Sequence, residues 1–469
     1  MPTIRDLRKD ADAYREVLRR KGAGRMTEAF EEGLSAYERW AALEDEIGRL
    51  RNESRSLAAE VGKQRAQGGS GPVTFTLGGE PVTVEDGPAR GKELKTRIAA
   101  KEDESRDAAA ALKDIEIRLP GWLAEDVPDG MDETTAVPIE YRGALKVNAA
   151  DADAVRAAHP QADVTPIDHE PFAHYGLVGQ YVDQEKAGQV AQSRFYYELD
   201  ELVILDLALS MYAVEFFRGR GFEKLMVTPY MLRKAVEAEI CYIEAFEDTI
   251  FEVPDPDAEG DAGNLVLLPS SEHSIVAYYL DTLFKEEELP KRVLAWSPCF
   301  RREAGSHGKQ TLGIFRVKQF HKVEIHSIVT EENAEAELDK MRVDVQDFLD
   351  TLGLANRSIV VPAGDMDKRS SKQIDVETWM PAGGAFFETH SIATLDTWVS
   401  EKAKIRVKQG KKNVPVHNLY ATAVAVQRMI CCLAEQHYDP ARQAIVLPEC
   451  LHKYTMGVTE IAVGGPAAG

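Results

Sequence analysis

The order of hydrophobic patterns along this chain predicts an α+β fold: a mostly antiparallel sheet flanked by helices, preceded by an N-terminal antiparallel coiled-coil arm. Two observations carry that reading. Near the start, two long stretches repeat apolar residues in heptads, separated by a short segment that alternates β-formers around a glycine pair. From about Tyr141 onward, strand-like and helix-like segments follow one another without the regular alternation of a parallel βαβ series.

In the first heptad stretch Leu43, Ile47, Leu50, Leu57 and Val61 step by threes and fours, with Ser54 as a polar gap. In the second, Leu94, Ile98, Ala108, Leu112, Ile115 and Leu119 keep one phase, with Lys101 and Ser105 in the intervening slots. Two such helices joined by a short segment pack most simply as an antiparallel hairpin. The joining segment, GGSGPVTFTLGGEPVTVEDG, places VTFTL and EPVTV on either side of Gly78-Gly79, which reads as a β-hairpin at the arm tip or as a glycine-rich linker. The chain is expected to divide into an N-terminal helical domain with the arm and its tip, 1–125, and a larger domain, 126–469, whose composition turns to mixed helix and strand signals from about Tyr141. In the latter, MYAVEFFRGRGF reads as a helix ending at glycine and SIVAYYLDTLF as a helix. LMVTPYM reads as a strand broken by proline, and NLVLLP and RVLAWSPCF as strands.

With 469 residues, 44% apolar and 29% charged, the chain has the composition of a folded globular protein. No run approaches the roughly 18 apolar residues of a membrane span. The opening MPTIRDLRKDADAYREVLRR is charged and amphipathic, without the apolar core of a signal peptide, so a cytoplasmic location is expected. Cys241, Cys299, Cys431, Cys432 and Cys450 show no CxxC spacing and read as reduced, mostly buried thiols. A net charge of −22 argues against whole-surface binding of a polyanion, so any RNA contact is confined to a patch. Neither GxxxxGK[ST] nor a GxGxxG after a strand occurs, so phosphate recognition falls to arginines; without a GxSxG elbow, serine-nucleophile catalysis has no support.

Against the acidic background, FRREAGSHGKQTLGIFRVKQFHKVE (Phe300 to Glu324) crowds together three arginines, three lysines and two histidines. It reads as strand, glycine-rich turn, strand. Residues two apart on a strand share a face, which groups Phe320, Lys322 and Glu324, and likewise Arg301 and Glu303. Such a hairpin either lines a pocket with guanidinium forks, an aromatic face and a carboxylate, suited to a phosphate, a base and an ammonium, or is a solvated basic hairpin.

The ordered segments SRFYYELDELVILDLAL, GFEKLMVTPYM, EAFEDTIFEV, LLPSSEH, SPCFRREAGSHGKQTLGIFRVKQFHKVE, GDM, DVETWMP, VHNLYATAVAVQR and LPECLHKYT, behind a helical arm, resemble the class II aminoacyl-tRNA synthetases. Within them they resemble seryl-tRNA synthetase, particularly its archaeal form. The resemblance covers nearly the whole chain and implies the class II antiparallel sheet, ATP-dependent activation of serine as an adenylate, and transfer to tRNA, with ATP and Mg²⁺ taking part. By their matches to the family motifs, Arg301 would bridge the α-phosphate and the amino acid carboxylate, Glu303 would recognise the adenine amino group and Phe320 would stack on adenine. Arg316 and Arg428 would hold the β- and γ-phosphates, and Glu388 and Ser391 would be oxygen ligands to Mg²⁺. Glu324 would accept the substrate ammonium, with Ser270, Glu272, Tyr420 and Thr422 completing the amino acid pocket. Pro229 matches the motif of the dimer interface, implying a homodimer, and the arm, with Arg49, Arg51, Arg55, Lys63 and Arg65, would embrace tRNA. The plainer alternatives are an Arg428 snorkelling from an apolar helix, a Glu388 paired with a lysine, a Phe320 in core packing and a Pro229 on an edge strand.

The departures from the family pattern gather on the amino acid side. Tyr420 stands where asparagine is usual, Ser270 replaces threonine, and Thr394 replaces asparagine. The QARR-like segment reads Val399, Ser400, Glu401, Lys402, and GDM is followed by DKRSSKQ where glycine and an aromatic are expected. Three readings follow: a working but divergent serine–tRNA ligase; a paralogue that adenylates serine or another small amino acid for a different acceptor; or a non-catalytic binding protein that keeps the arm and dimer.

Overall fold

The computed structural model describes residues 3–241, 249–257, 260, 263–303 and 312–464. They form two compact units, Pro2–Arg19 with Ala23–Pro120, and Arg20–Gly22 with Gly121–Gly469.

The smaller unit is built on α1 (Gly24–Ala66) and α2 (Gly87–Glu116), joined by β1 (Val73–Leu77) and β2 (Glu80–Val84). The heptad positions do what their spacing implies. Ile47, Leu50 and Leu57 of α1 and Leu94, Leu112 and Ile115 of α2 are buried, while Leu43, Val61, Ile98 and Ala108 are half-buried. The helices run antiparallel: Glu44 receives a hydrogen bond from Ser105 at 2.5 Å, and Glu53 pairs with Arg90 at 2.6 Å. Ser105, a polar slot in the seam, is thus buried with a partner rather than left as an unpaired hydroxyl.

The segment at the tip is a hairpin and not an unstructured linker. Strands β1 and β2 pair from Val73 opposite Val84 to Leu77 opposite Glu80. Gly78 and Gly79 take φ of 61° and 92°, the pair of left-handed residues that a two-residue turn of this twist requires. An isolated hairpin is marginal in water, and this one is held because Val73 and Phe75 pack with Leu50, Leu57 and Leu94 of the helices.

The larger unit contains an eight-stranded sheet. In chain order its strands and neighbouring helices are β3 (Val137–Arg142), α3 (Glu201–Gly219), β4 (Lys224–Val227), α4 (Lys234–Ile240), α5 (Ser271–Tyr278), β5 (Lys291–Phe300), β6 (Gln319–Val329), α6 (Ala334–Thr351), β7 (Asn356–Val360), β8 (Lys372–Met380), β9 (Ala385–Thr394), α7 (Trp398–Ala403), β10 (His417–Ala425) and α8 (Val426–His437). The strand order is β3-β7-β8-β9-β10-β6-β5-β4, antiparallel throughout except where β5 meets β4. Helices α3, α6 and α8 contribute Leu205, Leu209, Met341, Phe348, Met429 and Ile430 to one core with Val323 and Ile325 of the sheet. Strand alternation on β6 therefore divides labour. His321 reaches Asp206 of α3 at 2.8 Å, while Phe320, Lys322 and Glu324 line a cleft.

Two sequence expectations are corrected. SIVAYYLDTLF is helical only to Tyr278: Asp281 takes φ 52°, and Leu283–Lys285 runs as a short strand beside Arg406–Lys408. The returning strand of the basic segment starts at Gln319 and does not include IFRVK. Ile314, Phe315 and Val317 are buried, but the backbone N–H of Lys318 is taken by Arg194 and its carbonyl by Arg301. The glycine-rich turn expected between the two strands lies largely outside the described residues. Cys241, Cys299, Cys431 and Cys432 are buried thiols and Cys450 is half-buried.

The hairpin packing makes a prediction. Phe75→Ala should destabilise the arm by about 3 kcal/mol, the usual cost of emptying a buried phenylalanine site. Hydrogen exchange should show β1 and β2 amides losing protection, with no change in β5 and β6.

Candidate active site

A cleft of about 460 Å³ opens on the larger unit, and every site residue singled out from the sequence lines it. The β6 ladder supplies Phe320, Lys322 and Glu324; the end of β5 leads into Arg301 and Glu303; β9 gives Glu388 and Ser391; β10 gives Tyr420 and Thr422; α8 gives Arg428; and the start of α5 gives Ser270 and Glu272. Thr394 is instead buried beside Asp396, and Val399, Ser400 and Lys402 are buried on α7 outside the cleft lining.

Three guanidinium groups line the cleft. Arg301 donates from Nε to the Pro269 carbonyl at 3.2 Å and lies 5.5 Å from the Phe320 ring centre. Arg316 meets the Glu303 carboxylate at 2.5 Å. Glu303 adopts φ 53°, so its backbone turns away from the strand and the expected in-strand pairing of Arg301 with Glu303 is replaced by a bend. Arg428 stacks 5.2 Å from the Phe315 ring centre and donates to the Glu388 carbonyl at 2.6 Å. It faces the cleft and does not snorkel outward. A guanidinium carries five N–H donors in a planar fork, so each of these contacts leaves donors for an anion.

In the same cleft, Glu324 is fully buried and its acceptor positions are filled. Lys322 Nζ lies 2.5 Å from Oε1. The Ser270 hydroxyl reaches both oxygens at 2.7 and 2.8 Å, Ser271 donates at 2.5 Å and the Glu272 N–H at 2.9 Å. Burial alone would raise its pKa, but Lys322 and the two serine hydroxyls outweigh it and hold the carboxyl at about 2. Lys322, Ser271 and His273 were not singled out as site residues from the sequence. Ser271 and His273 lie in the SSEH run, and the strand period placed Lys322 on the face of Glu324.

The residues that depart from the family pattern meet one another. Arg369 joins Asp367 at 2.6 Å and Glu272 at 3.2 Å, and the Tyr420 hydroxyl donates to Asp367 at 3.3 Å. Burial and the neighbouring carboxylates of Asp367 and Glu272 push the Tyr420 phenol well up, so it is neutral and remains a donor. A buried guanidinium between two carboxylates neutralises what would otherwise be an uncompensated pair of acids.

A third group lies where β8 and β9 pair, with Asp375 opposite Ser391 and Glu377 opposite Glu388. Burial and the nearby Glu388 carboxylate push Asp375 well above the usual carboxylate range. Among the described residues no lysine or arginine forms a salt bridge with Asp375. Glu377 pairs with Arg357 at 2.6 Å and Glu388 lies 3.6 Å from Arg428, so Asp375 is the carboxylate of this group left without a cation among the described residues. Its oxygens, with those of Glu388 and Ser391, are the donor type that a hard divalent cation takes, so the residues fit Mg²⁺.

A mostly antiparallel sheet with a cleft lined by arginines, an aromatic ring and a buried carboxylate matches the core of a class II aminoacyl-tRNA synthetase, and comparison with known proteins agrees. Residues 251–437 match the tRNA synthetase class II core domain (G, H, P, S and T), and residues 1–122 the seryl-tRNA synthetase N-terminal domain. The chain belongs to the seryl-tRNA synthetases. It is 31% identical to the serine–tRNA ligase of Pyrococcus horikoshii over 98% of this chain and 97% of that protein, and 35% identical to that of Archaeoglobus fulgidus over 73% and 75%. Among solved structures, seryl-tRNA synthetase from Pyrococcus horikoshii complexed with ATP superposes with a TM-score of 0.89, covering 99% of this chain and all of that one, at 31% identity. Cytoplasmic serine–tRNA ligase from Naegleria fowleri in complex with AMP shares the fold, with a TM-score of 0.80 at 23% identity over 97% and 96% of the two chains.

The buried Glu324 pair has a pH consequence. A carboxyl held at about 2 against an ordinary 4.5 contributes about 3 kcal/mol at neutral pH, and that contribution is lost as pH falls below about 4.5 toward 2. Glu324→Gln should lower the thermal midpoint most near pH 7, with the gap to the parent chain narrowing steadily below pH 4.5.

Proposed function

We propose that this chain condenses serine with ATP in the cleft and passes the seryl group to tRNA, the reaction of its family. The observation that carries the reading is the convergence of Arg301, Arg316 and Arg428 with Phe320 and Glu324 in one cavity. The crystallised Pyrococcus horikoshii relative holding ATP adds support.

In the first step a carboxylate oxygen of serine forms a bond to the α-phosphorus of ATP as the bond to the pyrophosphate oxygen breaks. Two anions are brought together, so positioning and charge neutralisation supply the catalysis and no protein nucleophile is required. Arg301 takes the α-phosphate and the carboxylate, Arg316 and Arg428 the outer phosphates, Phe320 the adenine face and Glu303 its amino group. Mg²⁺, held by Glu388 and Ser391 with Asp375 behind them, would add positive charge on the phosphates. Glu324 takes the serine ammonium in exchange for Lys322 Nζ, so that one cation always faces the buried carboxylate. Thr422 faces Glu324 across the β6–β10 ladder. Ser270, Glu272 and Tyr420 complete the walls around the serine side chain. The acyl group then moves to tRNA, breaking the anhydride and releasing AMP.

The finer assignments rest on surface features of each unit. Arg49, Arg51, Arg55, Lys63 and Arg65 are exposed on α1 and form the local basic surface proposed to meet tRNA phosphates. Edge strand β4 exposes Leu225 and Val227, and α3 exposes Leu207 and Met211, an apolar surface that suits the proposed homodimer around Pro229. No described helix is long and apolar enough to cross a membrane, and five free thiols suit the cytoplasm.

Serine-dependent exchange of pyrophosphate into ATP, followed by charging of total tRNA with serine, tests the reading; exchange with another amino acid and not with serine would sink it. Arg301→Ala should reduce exchange by at least about a hundredfold, the scale of losing a transition-state donor, with an unchanged thermal midpoint. Lys322→Met should lower the serine KM if Lys322 is the counter-ion that serine displaces. An unchanged or higher KM would reject the exchange while leaving the reaction itself in place.

A further inference from the structure

Beside the cleft, three potential metal ligands lie together in the larger unit. Glu237 lies on α4 and Cys241, four residues on, caps its C-terminus in extended conformation, its N–H still donating to the Glu237 carbonyl at 2.8 Å. His273, on α5, comes to them from a second helix, with Nδ1 2.6 Å from Glu237 Oε1. One donor atom from each of the three lies within 4.8 Å of the others, and all three residues are buried.

We propose that Glu237, Cys241 and His273 form a divalent transition-metal site of the zinc type, separate from the Mg²⁺ that accompanies ATP. Ligands at zinc distances of 2.0–2.3 Å in a tetrahedron stand about 3.5 Å from one another, so donors at the 4.8 Å limit need to close by about 1.3 Å, while His273 Nδ1 and Glu237 Oε1, at 2.6 Å, need to part by about 0.9 Å. Mixed thiolate, imidazole and carboxylate donors select zinc or a neighbouring transition metal over Mg²⁺.

Two further observations point to a ligand. Among the described residues Glu237 Oε2 has no hydrogen-bond partner although the side chain is fully buried, a costly state for a carboxylate oxygen that an ion would relieve. The charge also balances: a carboxylate and a thiolate neutralise a divalent ion, leaving the imidazole neutral. The nearby cations do not forbid it. Arg369 is already compensated by Asp367 and Glu272. Lys402 Nζ rests 3.3 Å from the Trp398 ring centre, and burial together with Arg369 pushes its ammonium down to about 7.

The role follows from position. His273 is the neighbour of Glu272 and two residues from Ser271, which hold Glu324 from the start of α5. An ion joining α4 to α5 fixes the helix that organises the amino acid pocket.

The test uses the full chain, stripped with a chelator and then titrated with Zn²⁺ against a chromogenic competitor, and separately with Co²⁺ followed by absorption. One Zn²⁺ per chain is expected, with Co²⁺ giving tetrahedral visible bands and a thiolate-to-metal band in the near ultraviolet. Cys241→Ser should abolish the thiolate band and weaken Zn²⁺ by at least about a hundredfold, and Glu237→Gln should weaken it similarly. Absence of stoichiometric Zn²⁺ or of the thiolate band in the parent chain would overturn the proposal whether or not the variants fold. So would a folded Cys241→Ser variant that titrates like the parent. Serine-dependent exchange is assayed independently, so loss of the metal proposal leaves the reaction standing.

Discussion

Everything on the amino acid side of the cleft depends on a buried carboxylate that is never left without a cation. Glu324 sits in the middle of the sheet, where an unpaired charge would cost several kcal/mol, and the structure meets that cost with Lys322 two residues before it and with the Ser270-Ser271-Glu272 turn opening α5. The strand period puts Lys322 on the same face, and the helix start brings a backbone N–H and two hydroxyls to the same oxygens. Sheet, helix and pocket are thereby locked to one another through a single group, which explains why the start of α5 is buried although it carries serine, glutamate and histidine.

The same constraint recurs one layer out. Tyr420, Asp367 and Arg369 look like scattered departures when read along the chain, but in space they are a compensated set in which Arg369 answers Asp367 and Glu272 and the phenol caps Asp367. Replacing one member alone would strand a buried charge or a buried donor. The departures are therefore mutually required, and their clustering does not by itself weaken the family's chemistry.

What the sequence could disclose was set by the range of each physical signal. Heptad spacing, the Gly78-Gly79 turn and the strand alternation of Phe320, Lys322 and Glu324 are local, and the structure realises each of them. The strand boundary at Gln319 was not legible, because apolar Phe315 and Val317 carry the pattern of a strand while their backbone neighbour Lys318 bonds to the distant Arg194. The end of α5 was not legible because the apolar run continues past Tyr278 through Leu280 to Phe284, and the left-handed turn falls on Asp281, with neither glycine nor proline to announce it. Likewise, the partner of Glu324 was two residues away and readable, whereas those of Glu272, Tyr420 and Glu237 lie far along the chain. Cysteine spacing excluded a zinc knuckle but says nothing of a site assembled from two helices.

The two halves of the cleft thus use charge in different ways. Arg301, Arg316 and Arg428 are partly exposed, which would let them follow a flexible polyphosphate if they hold it as proposed above. Glu324 and Glu272 are buried, Asp367 is half-buried, and all three are already paired, so under the proposed assignment a substrate would enter by substituting for a resident partner with one of equal charge and similar hydrogen bonds. A ligand that brings an ammonium but fails to satisfy the groups it displaces leaves a buried ion uncompensated, and the penalty for that exceeds what a missing or extra methylene would cost. Under the assignment proposed above, selection on this side is an exchange of ion pairs, enforced by burial, while affinity for ATP would be carried by the more adaptable side.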